Sequence, residues 1–69
     1  SVKLFSAGSH DGEMLQKEGK EGAITKFFFD EKQEIIGAIL YKDTSLSGKA
    51  KKWIKEHADK SVILQALEG

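Results

Sequence analysis

Four short segments, rich in apolar and β-branched residues, are predicted to be β-strands. Segments rich in glycine and charged residues separate them, as is typical of turns. The predicted strands are residues 2–7, 13–17, 23–29 and 35–41. For residues 13–17 a single helical turn is the alternative.

The strongest signal is a hairpin formed by residues 23–29 and 35–41. Both segments have the β-branched and aromatic content of strands, and the charged turn between them is short enough for antiparallel pairing. Successive side chains of a strand point to opposite faces, and here both faces are apolar. Unless a bulge intervenes, one set shares a face and the other set opposes it: Phe27, Phe29, Ile35 and Ile39 against Phe28, Ile36 and Leu40.

Two apolar faces imply that both sides of the sheet are covered, whereas a small two-layer domain normally leaves one face in water. We expect another domain or subunit to cover the second face, through an exposed apolar patch of roughly several hundred Å². The alternative is that the C-terminal segment of the same chain lies over Phe28 and Ile36. The interface candidates are the hairpin residues Phe27, Phe28, Phe29, Ile36 and Leu40.

A helix is predicted over residues 44–58, because apolar residues recur there at helical spacing. This stripe consists of Leu46, Ala50, Trp53, Ile54, His57 and Ala58. We expect Trp53 and Ile54 to be buried against the hairpin. The candidate N-caps are the short hydroxyl side chains of Thr44, Ser45 and Ser47.

A second, short helix is predicted over residues 62–67, capped by Ser61 and ended by Gly69. The expected fold of residues 1–69 is therefore a single small α+β domain. It has an antiparallel sheet of three or four strands, one main helix packed on one face, and a short C-terminal helix.

Composition narrows the function classes. The chain has 69 residues, 11 lysines balanced by 11 acidic residues, no arginine and no cysteine. Domains below roughly 70–80 residues usually need a disulfide, a metal or a partner surface. The missing cysteines exclude disulfides and fit a cytoplasmic location. Zero net charge without arginine argues against nucleic-acid binding, and the lack of a long apolar run argues against a membrane span.

No pattern predicts a catalytic, cofactor or metal site within the chain. Neither Gly-x-Ser-x-Gly nor Gly-x-Gly-x-x-Gly occurs. His10 lies in a predicted turn and His57 on the predicted helix, and we interpret both as structural. The exposed lysines of the main helix are candidate contacts for an acidic partner: Lys49, Lys51, Lys52 and Lys55.

Several short motifs follow one another in a recognisable order. They are Val-Lys-Leu-Phe-Ser-Ala-Gly at 2–8, an aromatic-rich strand at 24–29, Ile-Ile-Gly-Ala-Ile-Leu at 35–40, and Lys-Asp-Thr at 42–44 before a helix. In this order they resemble the C-terminal domain of NADH:rubredoxin oxidoreductases, a domain type also found in the large subunits of NAD(P)H nitrite reductases. The resemblance covers nearly the whole chain. Ser9 stands where the family has an acidic residue, and Lys42 where it has glycine.

The resemblance implies a longer parent flavoprotein that binds FAD and NAD(P)H in other domains and passes electrons singly to rubredoxin or a similar acceptor. The chain itself is expected to be non-catalytic and to pack against the flavin module of the same polypeptide, with a second copy as a further possible partner. No flavin contact is assigned to Ser9, because it lacks the acidic group. The start at Ser1 rather than at a methionine favours an excised piece.

The alternative function is a free-standing protein-interaction module that acts through the apolar hairpin or the lysine-rich helix. A small enzyme is the least favoured hypothesis.

Overall fold

The computed structural model describes residues 2–68, which form four strands and two helices. The elements are β1 Leu4–Gly8, β2 Glu13–Glu18, β3 Ile24–Phe29, β4 Ile35–Tyr41, α1 Ser47–Glu56 and α2 Lys60–Glu68. A single 3₁₀ turn, Lys20–Gly22, joins β2 to β3. The predicted α+β fold is confirmed, including a strand rather than a helical turn at residues 13–17.

The strands form one antiparallel sheet in the order β1-β4-β3-β2. The hairpin expected from the sequence is the central pair, β3 and β4. β1 and β2, which are neighbours in sequence, lie at opposite edges of the sheet. The connection between them, residues 9–12, must therefore pass across the two central strands. We call residues 9–12 the crossover.

A β-bulge at Ile36 changes which hairpin residues share a face. Phe28 lies opposite Gly37 and Phe29 opposite Ile35, so Ile36 is an extra residue on β4. The bulge reverses the alternation beyond this point. The predicted grouping is therefore wrong for two residues, Ile39 and Leu40, which exchange faces.

α1 and α2 both cover one side of the sheet, which we call the helix face; we call the other side the open face. The core between helices and sheet contains Phe27, Phe29, Ile35, Ala38, Ala50, Trp53 and Ile63. Trp53 is 9% exposed, and its ring meets that of Phe27 edge-on at 5.8 Å between centroids. Its predicted burial against the hairpin is confirmed, and Ile54 packs at the margin of the core.

The helix starts differ from the sequence prediction. The residue before α1 is Leu46, which makes no side-chain cap, while the carboxylate of Asp43 accepts the Ser45 N–H at 3.0 Å. Before α2, the carboxylate of Asp59 accepts both the N–H and the hydroxyl of Ser61, at 3.0 and 2.6 Å. The predicted caps are wrong, because α1 begins after Leu46, which has no capping side chain, and at α2 the carboxylate of Asp59 accepts in place of Ser61.

The same hydrogen bonds act on the aspartates. Bonds from the backbone and side chain of Ser45 lower the pKa of Asp43, and bonds from the side chain and backbone of Ser61 lower the pKa of Asp59. Hydrogen bonds to a carboxylate favour its charged form.

The predicted end of the last helix at Gly69 lies outside the described residues.

The C-terminal end of α1 is tied to the sheet. His57 adopts a left-handed conformation with φ 55°, and the N–H of Ala58 then bonds to the Trp53 carbonyl oxygen at 3.0 Å. The Ala58 carbonyl oxygen in turn accepts the N–H of Ile35 at 2.9 Å. His57 is exposed, so it is a helix-ending residue and not a member of the buried stripe.

Candidate interaction surface

The helix face is covered across its width. α1 lies against β4 and β1. α2 lies beside β2, where the Lys60 ammonium pairs with the Glu13 carboxylate at 2.8 Å and the Lys17 ammonium reaches the Leu67 carbonyl oxygen at 3.4 Å. The alternative that the C-terminal segment covers Phe28 is therefore wrong, because α2 packs on the opposite side of the sheet.

The crossover covers one end of the open face. The Ser9 N–H donates to the Ile36 carbonyl oxygen at 2.8 Å, which fixes the start of the segment over β4. The His10 ring then lies on Phe28, with 5.0 Å between centroids and a 36° tilt. Phe28 is 7% exposed as a result. The second phenylalanine face is thus covered from within the chain, by a segment that the sequence identified only as a turn.

Two glycines make this close passage possible. A side chain at Gly37 would overlap the carbonyl oxygen of Ser9, because the crossover runs directly over that position. A side chain at Gly8 would overlap the Ile36 carbonyl oxygen, and Gly8 has a φ of +70° that L-residues rarely adopt. Glycine at both positions lets backbone pack on backbone.

Beyond the crossover, the open face presents an apolar patch. Leu4 lies opposite Tyr41, which lies opposite Ile24, and Ile39 is the next residue of β4 on the same face. We call these four residues, Leu4, Ile24, Ile39 and Tyr41, the open patch. Leu4 is 67% and Tyr41 37% exposed, and the two isoleucines are half-buried. Ser6, Lys26 and Gln16 border the patch in the adjacent row.

The predicted interface residues do not form this patch. Phe27, Phe29 and Leu40 are about 1% exposed or less, on the helix face. Phe28 lies under the crossover, and Ile36 is half-buried beside Gly12. One feature of the sequence does indicate the patch, since the alternation in residues 2–7 sets Leu4 on the face opposite Phe5. No comparable pattern indicates Tyr41.

The four candidate lysines, Lys49, Lys51, Lys52 and Lys55, are all exposed on α1. Lys51 lies over the Phe5 ring, with its ammonium 5.7 Å from the ring centroid. Lys49, Lys52 and Glu56 line a shallow groove between the helices, together with Trp53, Val62 and Ala66. The surface of α1 therefore carries more positive than negative charge beside a partly apolar groove.

One serine and one histidine meet at the surface. Ser6 Oγ and His10 Nε2 lie 3.2 Å apart. A nucleophilic serine needs its histidine oriented by a third group, and the hydrogen bonds described for residues 2–68 provide no carboxylate partner for His10. We interpret the contact as one that holds His10 over Phe28.

Within residues 2–68, no group of three or more histidine, aspartate or glutamate side chains is placed to hold a metal ion. Neither helix of the described chain has the length and apolar character needed to cross a bilayer.

Comparison of the chain with protein-family models, with curated proteins and with solved structures finds no match in any of the three.

Proposed function

We propose that the chain is a non-catalytic accessory domain of an FAD-dependent NAD(P)H oxidoreductase, and that its open patch seats it on the flavin module of the same polypeptide. The resemblance of the ordered motifs supports the enzyme class. The observation that carries the interface is the open patch, where Leu4 is 67% exposed although the three phenylalanines of the hairpin are buried. Contiguous exposed apolar residues are typical of interaction sites.

In this proposal the chemistry belongs to the parent protein. NAD(P)H delivers a hydride to FAD, and the reduced flavin passes its two electrons one at a time to rubredoxin or a similar acceptor. The domain contributes apolar contacts that fix its position on the flavin module. The absence of cysteine fits a reducing compartment, and we propose a cytoplasmic location for the parent.

The first test is the upstream coding sequence. The proposal requires a continuous reading frame that encodes two dinucleotide-binding fingerprints, Gly-x-Gly-x-x-Gly, before Ser1. A start codon immediately before Ser1 would contradict it.

The second test locates the interface in the purified parent. Tyr41→Lys places a charge in the open patch and should make the domain accessible to limited proteolysis, while bound FAD is retained. Gln16→Lys adds the same charge to the same face outside the patch and is the matched control. Equal protease resistance of the two variants would show that the open patch is not the contact.

A free-standing interaction module remains the second candidate, favoured by the exposed lysines of α1. In that case Lys49→Glu with Lys52→Glu should abolish binding of an acidic partner, whereas Tyr41→Lys should not. The first proposal predicts the reverse: Tyr41→Lys should release the domain from the flavin module, and Lys49→Glu with Lys52→Glu should leave it bound.

A further inference from the structure

The two edge strands of the sheet differ in how well they are protected against pairing with a strand of another molecule. β2 carries three charged side chains, Glu13, Lys17 and Glu18. β1 has the sequence Leu-Phe-Ser-Ala-Gly, with no charge and no proline. Charged residues on edge strands are a common means of preventing edge-to-edge association. β1 lacks that protection.

The backbone of β1 also has groups free to pair. The Lys3 carbonyl oxygen accepts the Lys42 N–H at 2.8 Å, and the Ser9 N–H donates to β4 at 2.8 Å. Hydrogen-bonded positions alternate along an antiparallel pair. The backbone N–H and C=O groups of the odd-numbered residues of β1 therefore point toward β4. Those of Leu4 and Ser6 point the other way, out from the edge of the sheet. Both residues are exposed.

We propose that β1 pairs antiparallel with β1 of a second copy of this chain, about a two-fold axis at Ser6. The outward groups of the two Ser6 residues then bond to each other, and Leu4 lies opposite Gly8 of the partner subunit. The pairing joins the four strands of each copy into one continuous sheet. A symmetric interface of this kind uses the same surface on both copies.

A second copy fits this edge because the strand is self-complementary. Leu4 has the largest side chain among the β1 residues on the open face, and in the proposed pair it lies opposite a glycine. The pairing brings no like charges opposite one another. The crossover leaves Gly8 toward β4 and so leaves the edge free. Lys51 lies on the helix face over the Phe5 ring, beside the edge rather than across it. The inference does not depend on the proposed function, which uses the open face.

Two lysine substitutions test the edge. Ser6 and Gln16 occupy the same row of the open face, one on each edge strand, and both are exposed. Sedimentation across the micromolar to millimolar range should show the unmodified chain forming dimers. Ser6→Lys sets two charges against each other at the two-fold axis and should weaken the dimer at least about tenfold. Gln16→Lys should leave it unchanged.

Two controls separate the effect of charge at the edge from a loss of folding or of the His10 contact. Ser6→Ala removes the contact with His10 without adding charge and should still form dimers, and circular dichroism should show every variant folded. In amide exchange, the Leu4 and Ser6 amides should become protected as concentration rises. A monomer at all concentrations, equal weakening by both lysine variants, or a dimer with unprotected Leu4 and Ser6 amides would each overturn the proposal.

Discussion

The two faces of the sheet are covered by different means. On the helix face, two helices supply Ala50, Trp53 and Ile63 to a core in which several side chains are fully buried. On the open face, the crossover covers only one end, through backbone contact at Gly37 and one aromatic contact to Phe28. Stability should therefore depend on side-chain volume on the helix face and on backbone clearance on the open face.

The largest expected effect tests the helix face. Trp53→Ala removes the side chain that meets Phe27 and should lower the free energy of unfolding by about 3–5 kcal/mol. Urea unfolding followed by circular dichroism measures it. Tyr41→Ala, on the open patch, is the matched aromatic control and should stay within about 0.5 kcal/mol. Similar losses for the two variants would remove the distinction between the faces.

The next effect tests backbone clearance on the open face. Gly37→Ala forces a methyl group into the carbonyl of Ser9 and should cost about 1–3 kcal/mol, the range seen for overpacking. Gly48→Ala on α1 meets nothing within 4 Å and should instead stabilise the chain, by up to about 1 kcal/mol. Thermal unfolding of both variants gives the comparison. A Gly37→Ala protein as stable as the unmodified chain would mean that the crossover lies farther from the sheet.

A smaller effect concerns the aromatic contact of the crossover. His10→Ala uncovers Phe28 and should cost about 0.5–1.5 kcal/mol, as expected for an aromatic pair. His10→Phe keeps an aromatic ring at this position and should recover most of the loss. If the phenylalanine variant is as unstable as the alanine variant, the stacking does not account for the burial of Phe28.

The smallest effect is acid sensitivity at the starts of the helices. Hydrogen bonds lower the pKa of Asp59 below its ordinary value of 3.8, so its contribution to stability is present above that value. The contribution is lost as the pH falls through the lower folded pKa. Asp59→Asn can still accept the hydrogen bond but does not titrate. Below pH 4 the melting temperature of the unmodified chain should fall slightly more than that of the variant, and parallel curves would contradict this.

The sequence predicted the strands and helices well because each has a clear pattern. The hairpin has β-branched and aromatic strands around a charged turn, and Trp53 lies on a helical stripe. The bulge at Ile36 has no such signal, since it depends on the pairing of two strands, and it reversed the faces of Ile39 and Leu40. The N-cap predictions were wrong for local reasons: α1 begins after Leu46, and at α2 the carboxylate of Asp59 accepts the N–H and hydroxyl of Ser61.

The interaction surface was harder to predict for a different reason. An apolar residue on a strand gives no indication of which element will cover it. The three phenylalanines suggested a missing neighbour, yet each is buried within the chain. The strand order decided this result, since placing β1 and β2 at opposite edges carried residues 9–12 over Phe28. Strand order depends on contacts between residues that are far apart in sequence, so the pattern of any one segment does not reveal it.

The same strand order has a consequence for how the chain folds. β2, β3 and β4 follow one another in sequence and pair locally, whereas β1 must find β4, with Leu4 opposite Tyr41. Contacts between distant residues form more slowly than local ones. Among the four strands of this sheet, we therefore expect β1 to be synthesised first and to pair last. Until Tyr41 has been synthesised, the segment Leu-Phe-Ser-Ala-Gly lacks the strand with which it pairs among residues 2–68.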